Sequence, residues 1–141
     1  VMKIQLDTNI VIDILEKREG FEQQALTFLT KAIEHHHELS ITANSIDNIY
    51  YIHRTRSTVP QITHALKNLF ETVKVTSVNE EIILMAINAN WKDIEDCIQY
   101  YVALNSNIDV IITRNQKDYE ENKIPILSPE EGLSWLKKLN S

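Results

Sequence analysis

Carboxylates, amides and hydroxyls gather in four short clusters of this chain, each beside an apolar run or at the start of a helical pattern. The first, Leu6-Asp7-Thr8-Asn9, closes the run Lys3-Ile4-Gln5-Leu6. The second is Asn44-Ser45-Ile46-Asp47-Asn48, the third Asp93-Ile94-Glu95-Asp96, and the fourth Thr113-Arg114-Asn115-Gln116-Lys117-Asp118. Asp93 and Asp96 are three apart and so share a helix face. Oxygen donors of this kind suit a hard divalent cation, which accepts carboxylates, neutral carbonyl oxygens and water. A bound cation of that class could serve phosphodiester hydrolysis, which needs a nucleophile at neutral pH and neutralisation of charge growing on the phosphate. Each cluster taken singly has a plainer reading, because Asp, Asn, Ser and Thr are preferred N-caps and acids favour helix N-termini.

The elements around these clusters decide between the two readings. Met2–Leu6, Leu39–Ala43, Val73–Ser77, Val110–Thr113 and Ile124–Leu127 are short, rich in β-branched and aliphatic residues, and read as strands. Helical spacing runs through Phe21, Ala25, Phe28, Leu29, Ala32 and Ile33, and through Ile62, Ala65, Leu66, Leu69 and Phe70. Ile82, Ile83, Ala86 and Ile87, then Ile94, Cys97, Ile98 and Tyr101, repeat it. Ser128-Pro129-Glu130-Glu131 announces a last helix with a capping box and proline at its first position. Strands alternating with helices predict a three-layer α/β/α sandwich, Rossmann-like, with a mostly parallel five-stranded sheet. No linker, repeat or low-complexity stretch divides the chain, so residues 1–141 are expected to form one domain. In open α/β sheets ligands bind beyond the C-terminal ends of the strands. Four acidic or amide clusters at that one edge are more than helix capping predicts.

Composition narrows the partners. Fourteen Lys and Arg against twenty Asp and Glu give a net charge of −6, which argues against a broad electrostatic footprint for DNA. It does not exclude a nuclease, since a bound cation supplies the positive charge that a phosphate needs. An acidic surface also suits a basic protein partner. No run approaches the length of a membrane span, the start lacks a signal-peptide pattern, and the single Cys97 cannot form an internal disulfide. A reducing cytoplasm is the expected compartment. His35-His36-His37 point in different directions on a helix end and make no zinc site, and His53 and His64 are isolated. Tyr50-Tyr51-Ile52-His53-Arg54-Thr55-Arg56 combines aromatics with arginines as a single-stranded RNA track would, but also reads as one packed tyrosine and solvated arginines. Arg114, beside the acidic edge, is the better phosphate-contacting residue.

Three segments together, Leu6-Asp7-Thr8-Asn9-Ile10, Asp93-Ile94-Glu95-Asp96-Cys97-Ile98-Gln99-Tyr100 and Ile111-Ile112-Thr113-Arg114-Asn115-Gln116-Lys117-Asp118-Tyr119, resemble the PIN domain. They do so in order, at the expected separations and over essentially the whole chain. Within that family the chain is similar to the VapC-type ribonuclease toxins and their solitary relatives. The resemblance implies an endoribonuclease acting on single-stranded RNA with Mg²⁺ or Mn²⁺. Asp7 matches the acid after the first strand, Asp96 the main acid opening the helix before the fourth strand, and Asp93 lies one turn earlier. Asp118 matches the second acid of the last motif, and Asn115 stands where many members carry a further aspartate. Thr8 and Thr113 would offer hydroxyls to the metal water or the phosphate. The partners implied are RNA, a small basic antitoxin protein and a second copy of the chain.

The second cluster departs from the pattern. PIN domains usually place Glu or Asp in the first turn of the helix after the second strand, at the position aligned with Asn48. Asp47 is one residue early, about 100° round a helix from Asn48. Either Asp47 points inward, or the amide of Asn48 offers a neutral oxygen in place of a charge. This opens an alternative function, a PIN-fold module that binds nucleic acid or protein with weakened catalysis. A receiver-like domain is set aside, because Val73–Ser77 is followed by Val78-Asn79-Glu80 with no phosphoacceptor aspartate.

Overall fold

The computed structural model describes residues 1–139. Five strands form one parallel sheet: β1 (Lys3–Leu6), β2 (Glu38–Thr42), β3 (Val73–Thr76), β4 (Val110–Ile112) and β5 (Ile126–Leu127). Their order across the sheet is β3-β2-β1-β4-β5, and every neighbouring pair is parallel. Seven helices connect and follow them among the described residues: α1 (Thr8–Leu15), α2 (Glu22–Glu34), α3 (Ser45–Arg54), α4 (Val59–Phe70), α5 (Glu80–Ala89), α6 (Ile94–Asn105) and α7 (Pro129–Leu139). The chain builds outward from β1 to β3, then returns to build β4 and β5 on the other side. The direction of winding therefore reverses between β1 and β4, the topological switch point of such sheets. None of these helices is long and apolar enough to cross a membrane.

One face of the sheet carries the larger core. Ile4, Leu6, Leu39, Ile41, Val73, Val110 and Ile112 pack there against Ile10, Val11, Phe28, Ile49 and Leu136 from α1, α2, α3 and α7. On the other face Ile111 meets Tyr100 and Ala103 of α6, with Ile108, Tyr119 and Ile124. The expected three layers are present. Gly132 lets α7 come close to the first core, since a Cβ there would lie 2.8 Å from both Phe28 and Ile112.

β1 differs from the apolar run expected of a buried parallel strand. It alternates, sending Ile4 and Leu6 to the large core while Gln5 lies fully buried on the α6 side. Gln5 is tolerated because its amide Nε2 donates to the backbone carbonyl of Gln99 on α6 at 2.8 Å. The β5 strand starts two residues later than its sequence suggests. Pro125 has no N–H for the ladder, although its carbonyl still accepts from Ile111 at 3.0 Å. In α5 only Ile82 and Ala86 are buried, whereas Ile83 and Ile87 of the same apolar spacing face solvent. The α7 cap is as the sequence predicts: Glu131 accepts from the Ser128 N–H and donates its own N–H to the Ser128 hydroxyl.

Candidate active site

Asp7 directly follows β1, and its N–H continues the ladder by donating to the Ile112 carbonyl at 2.9 Å. Its carboxylate is 3% exposed and both oxygens are engaged. Oδ1 accepts the N–H of Asn9 at 3.1 Å, so Asp7 is the N-cap of α1. Oδ2 accepts the hydroxyl of Tyr119 at 2.8 Å, from the far side of the switch point. Capping and site membership, alternatives on sequence grounds, are here combined in one residue. Burial raises the Asp7 carboxyl above its ordinary value, while hydrogen bonds from Tyr119, Asn9, Thr113 and Gln99 oppose that rise by favouring the charged form. The same burial and the Asp7 charge push the Tyr119 phenol well above its usual range, so it stays a donor.

α6 brings a second group of acids to the same edge. Asp93 is its N-cap, accepting the Asp96 N–H at 3.1 Å, and Glu95 and Asp96 occupy the first turn. A helix N-terminus ordinarily stabilises a carboxylate. The Asp96 carboxyl is nevertheless pushed up to about 8, first by burial and then by the charges of Asp7, Asp93, Asp118 and Glu95. That crowding shows which carboxylates share a neighbourhood. Asp118 sits on a single 3-10 turn, Gln116–Asp118, after β4. Asp93 and Asp118 line one open cleft of about 460 Å³ together with Lys92, Lys117 and Glu120.

The remaining expected residues divide. Asn48 on α3 faces the acids: its Nδ2 approaches Glu95 Oε1 at 3.5 Å. Asp47 is exposed, one residue before the Asn48 amide that meets Glu95, and its carboxylate makes no hydrogen bond or ion pair to the acids of α6. Thr8 is buried and its hydroxyl is bonded to Ser45 at 2.7 Å, which in turn meets Thr42 at 3.0 Å. Thr113 is fully buried, where its hydroxyl accepts the Asn115 N–H at 3.1 Å and sits 3.4 Å from Asn9 Nδ2. Both threonines are therefore buried beside Asp7 and do not stand at the surface. Arg114 is also committed: Nε and Nη2 meet the buried Asp13 carboxylate at 2.7 and 3.3 Å, and the guanidinium lies 4.3 Å from the Phe21 ring centroid. The free phosphate ligand expected at this position is instead half of an ion pair. Sequence reasoning missed Glu95, Gln99, Tyr119 and Asp13. Tyr119 lies one residue beyond Asp118, and Glu95 directly before Asp96, so adjacency to the matched acids was the available signal.

All the donors at this edge are oxygens, with no thiolate or imidazole among them. Among the described residues no three His, Cys, Asp or Glu side chains are gathered tightly enough to cage an ion. Mg²⁺ does not ask for a cage: it keeps several waters and is held by one or two carboxylates plus substrate phosphates. The donor set fits such an ion, and a cation would relieve the repulsion focused on Asp96. Without metal, that repulsion gives stability a pH dependence. Asp96 has a folded value raised above its unfolded one, so its stabilising, protonated form is complete below about pH 4 and is lost as pH rises to about 8. In EDTA, wild type is expected to lose more melting temperature between pH 5.5 and pH 8 than Asp96→Asn does. His37, lowered by burial, works in the opposite direction as pH rises towards 6.5, so the contrast between the two proteins is the quantity to measure. Equal slopes would remove Asp96 from the crowd.

A parallel sheet that gathers carboxylates from β1, α6 and the turn after β4 at its switch point defines the class: an α/β domain with an acidic site. The sequence profile of the PIN domain family matches residues 3–117, and the chain belongs to that family. It is 25% identical over 137 residues to Ribonuclease VapC1 of Aquifex aeolicus, with 92% of each chain covered. Its fold matches a toxin-antitoxin complex from Klebsiella pneumoniae with a TM-score of 0.67 at 18% identity, covering 89% of this chain and 97% of that one. VapC20 of Mycobacterium tuberculosis, described as a sarcin-ricin loop cleaving toxin, matches with a TM-score of 0.62 at 12% identity, covering 77% and 86%.

Proposed function

We propose that this protein is a divalent-metal-dependent endoribonuclease of the toxin type, cutting single-stranded RNA in the cytoplasm and restrained by a basic antitoxin protein. The observation that carries the reading is the focusing of four acidic charges from three elements on Asp96. Ribonuclease and toxin activities are those of the relatives named above, and the acidic balance of the chain suits a basic partner.

Asp7 and Asp96 would hold Mg²⁺ or Mn²⁺, with Asp118, Asp93 and Asn48 around them. The ion supplies a nucleophile at neutral pH and neutralises charge growing on the phosphate. The Tyr119 hydroxyl and the Asn9 N–H each hold one oxygen of the Asp7 carboxylate and favour its charged form, against the burial that raises it. Lys92 and Lys117, at the lip of the cleft with Asp93 and Asp118, are placed to meet an RNA phosphate in the role once expected of Arg114.

The test is incubation of the purified protein with single-stranded RNA. Cleavage is expected with Mg²⁺ or Mn²⁺ and none with EDTA; cleavage that survives EDTA overturns the metal mechanism. The uncharged Asn48 favours a second reading, a module that binds RNA or protein without efficient turnover. RNA retention with metal but no cleavage at any pH would establish it.

A further inference from the structure

The α6 side of the sheet is apolar only towards one end. Ile111 of β4 packs there against Tyr100 and Ala103, but across β1, β2 and β3 the same face is polar. Gln5, Ser40 and Lys74 stand in register in one row, with Lys3 beside Glu38 in a second and Thr42 beside Thr76 in a third. A cleft of about 440 Å³ lies on these rows, between the sheet, the start of α5 and the end of α6. It shares no lining residue with the acidic cleft. Ser40 lines it and is only 4% exposed, yet its hydroxyl has no hydrogen-bond partner among the described residues. The neighbouring Gln5 Oε1 is buried and unpartnered in the same way. Buried polar groups left unpaired cost the fold free energy, so a hydroxyl held like this at the floor of a cleft asks for a partner from outside.

The charges around Ser40 select that partner. Lys3 Nζ donates to the Ser106 carbonyl at 2.7 Å and Lys74 Nζ meets Glu38 at 2.6 Å, which leaves each ammonium further donors to offer. Two ammoniums against one carboxylate make the lining locally positive in a chain of net charge −6. The start of α5 borders the cleft at Asn79 and Ile82, and a helix N-terminus adds to the attraction for an anion. Glu80 and Glu81 of the same turn do not line it. We propose that this cleft binds a small organic oxyanion bearing hydroxyls, a sugar phosphate or a hydroxycarboxylate, whose anionic group meets Lys3 and Lys74 and whose oxygen pairs the Ser40 hydroxyl. The volume lies within the range of small-molecule sites.

The experiment is titration of ribose 5-phosphate, malate, inorganic phosphate and uncharged ribose into ¹⁵N-labelled protein in EDTA, followed by amide chemical shifts. Saturable shifts at Ser40, Thr76 and Ser77 are expected with ribose 5-phosphate or malate, and none with ribose. The better of the two tells a phosphorylated ligand from a carboxylate, and inorganic phosphate shows how much the anionic group contributes alone. Ser40→Ala and Lys74→Gln should each weaken binding about fivefold or more, the scale of one hydrogen bond to a charged ligand. Without ligand, Ser40→Ala should melt no lower than wild type, because the hydroxyl it removes has no partner in the fold. Lys31→Gln, in the separate cleft between α2 and α7, should bind as wild type. Shifts that fail to saturate, or that gather around Lys31 and Lys137 instead, overturn the proposal. So does a Ser40→Ala variant that binds as wild type, or one that melts lower without ligand, since the hydroxyl would then serve the fold.

Discussion

Asp96→Asn should cost this protein its RNA cleavage while making the metal-free fold no less stable. The two effects have opposite signs because one carboxylate does two things. With a divalent ion bound, as proposed, it would face a cation, and losing it would remove charge stabilisation at the reacting phosphate. A hundredfold loss or more is expected, the scale at which one such group is felt in other hydrolytic sites. Without metal the same carboxylate meets Asp7, Asp93, Asp118 and Glu95 in a partly buried place. Asparagine keeps the shape and ends the repulsion. A divalent ion that binds only the folded protein adds about 2.7 kcal/mol at a hundredfold excess over Kd, or roughly 5–10 °C for a domain of this size. Wild type should show that gain with millimolar Mn²⁺ and the variant should show less. Melts of both proteins in EDTA and in Mn²⁺ at pH 8, with cleavage assayed on the same samples, check both signs together. Equal gains in Mn²⁺ would leave Asp96 as a helix-start acid and nothing more.

The strand tips were legible because the signals there are local. A short aliphatic run followed by a polar cluster marks the end of a parallel strand, and all five strands lie where those runs are. Asp7, Asp96 and Asp118 could be placed at one edge because sheet topology alone carries residues far apart in sequence to the switch point. What stayed hidden depends on side-chain direction across elements. Nothing in Asn44-Ser45-Ile46-Asp47-Asn48 tells which of two adjacent residues faces inward, since that follows from the start of α3 and its rotation on the sheet. Thr8 and Thr113 look like ligands by type and position, yet both are buried: the Thr8 hydroxyl meets Ser45, and the Thr113 hydroxyl accepts the Asn115 N–H and hydrogen-bonds to Asp7. The polar face of β1 was hidden for a similar reason. The buried Gln5 amide nitrogen, between Ile4 and Leu6, finds a partner only because Gln99, more than ninety residues later, offers a carbonyl.

Arg114 shows the same limit at its largest energetic scale. Asp13 is 1% exposed on α1, and its carboxylate is met by Arg114 at 2.7 and 3.3 Å and by the half-exposed Arg18 at 3.5 Å. Arg114 follows β4, so the pair fastens α1 to the turn that carries Asn115, Asp118 and Tyr119. Arg114→Ala would leave a buried carboxylate with only its weaker partner. Removing one member of a buried pair costs about 3–5 kcal/mol, and Arg18 should hold the loss to the lower part of that range. Against a total stability of about 5–15 kcal/mol, this is a large fraction. Asp13→Leu with Arg114→Met, which removes both charges and keeps apolar bulk, should recover much of the loss because no charge is then left buried. Urea denaturation in EDTA measures both variants without any contribution from metal. The ion-pair account also fixes how activity should respond: where Arg114→Ala remains folded, its affinity for RNA should match wild type. A variant as stable as wild type but weak in RNA binding would return Arg114 to the phosphate and deny it to Asp13.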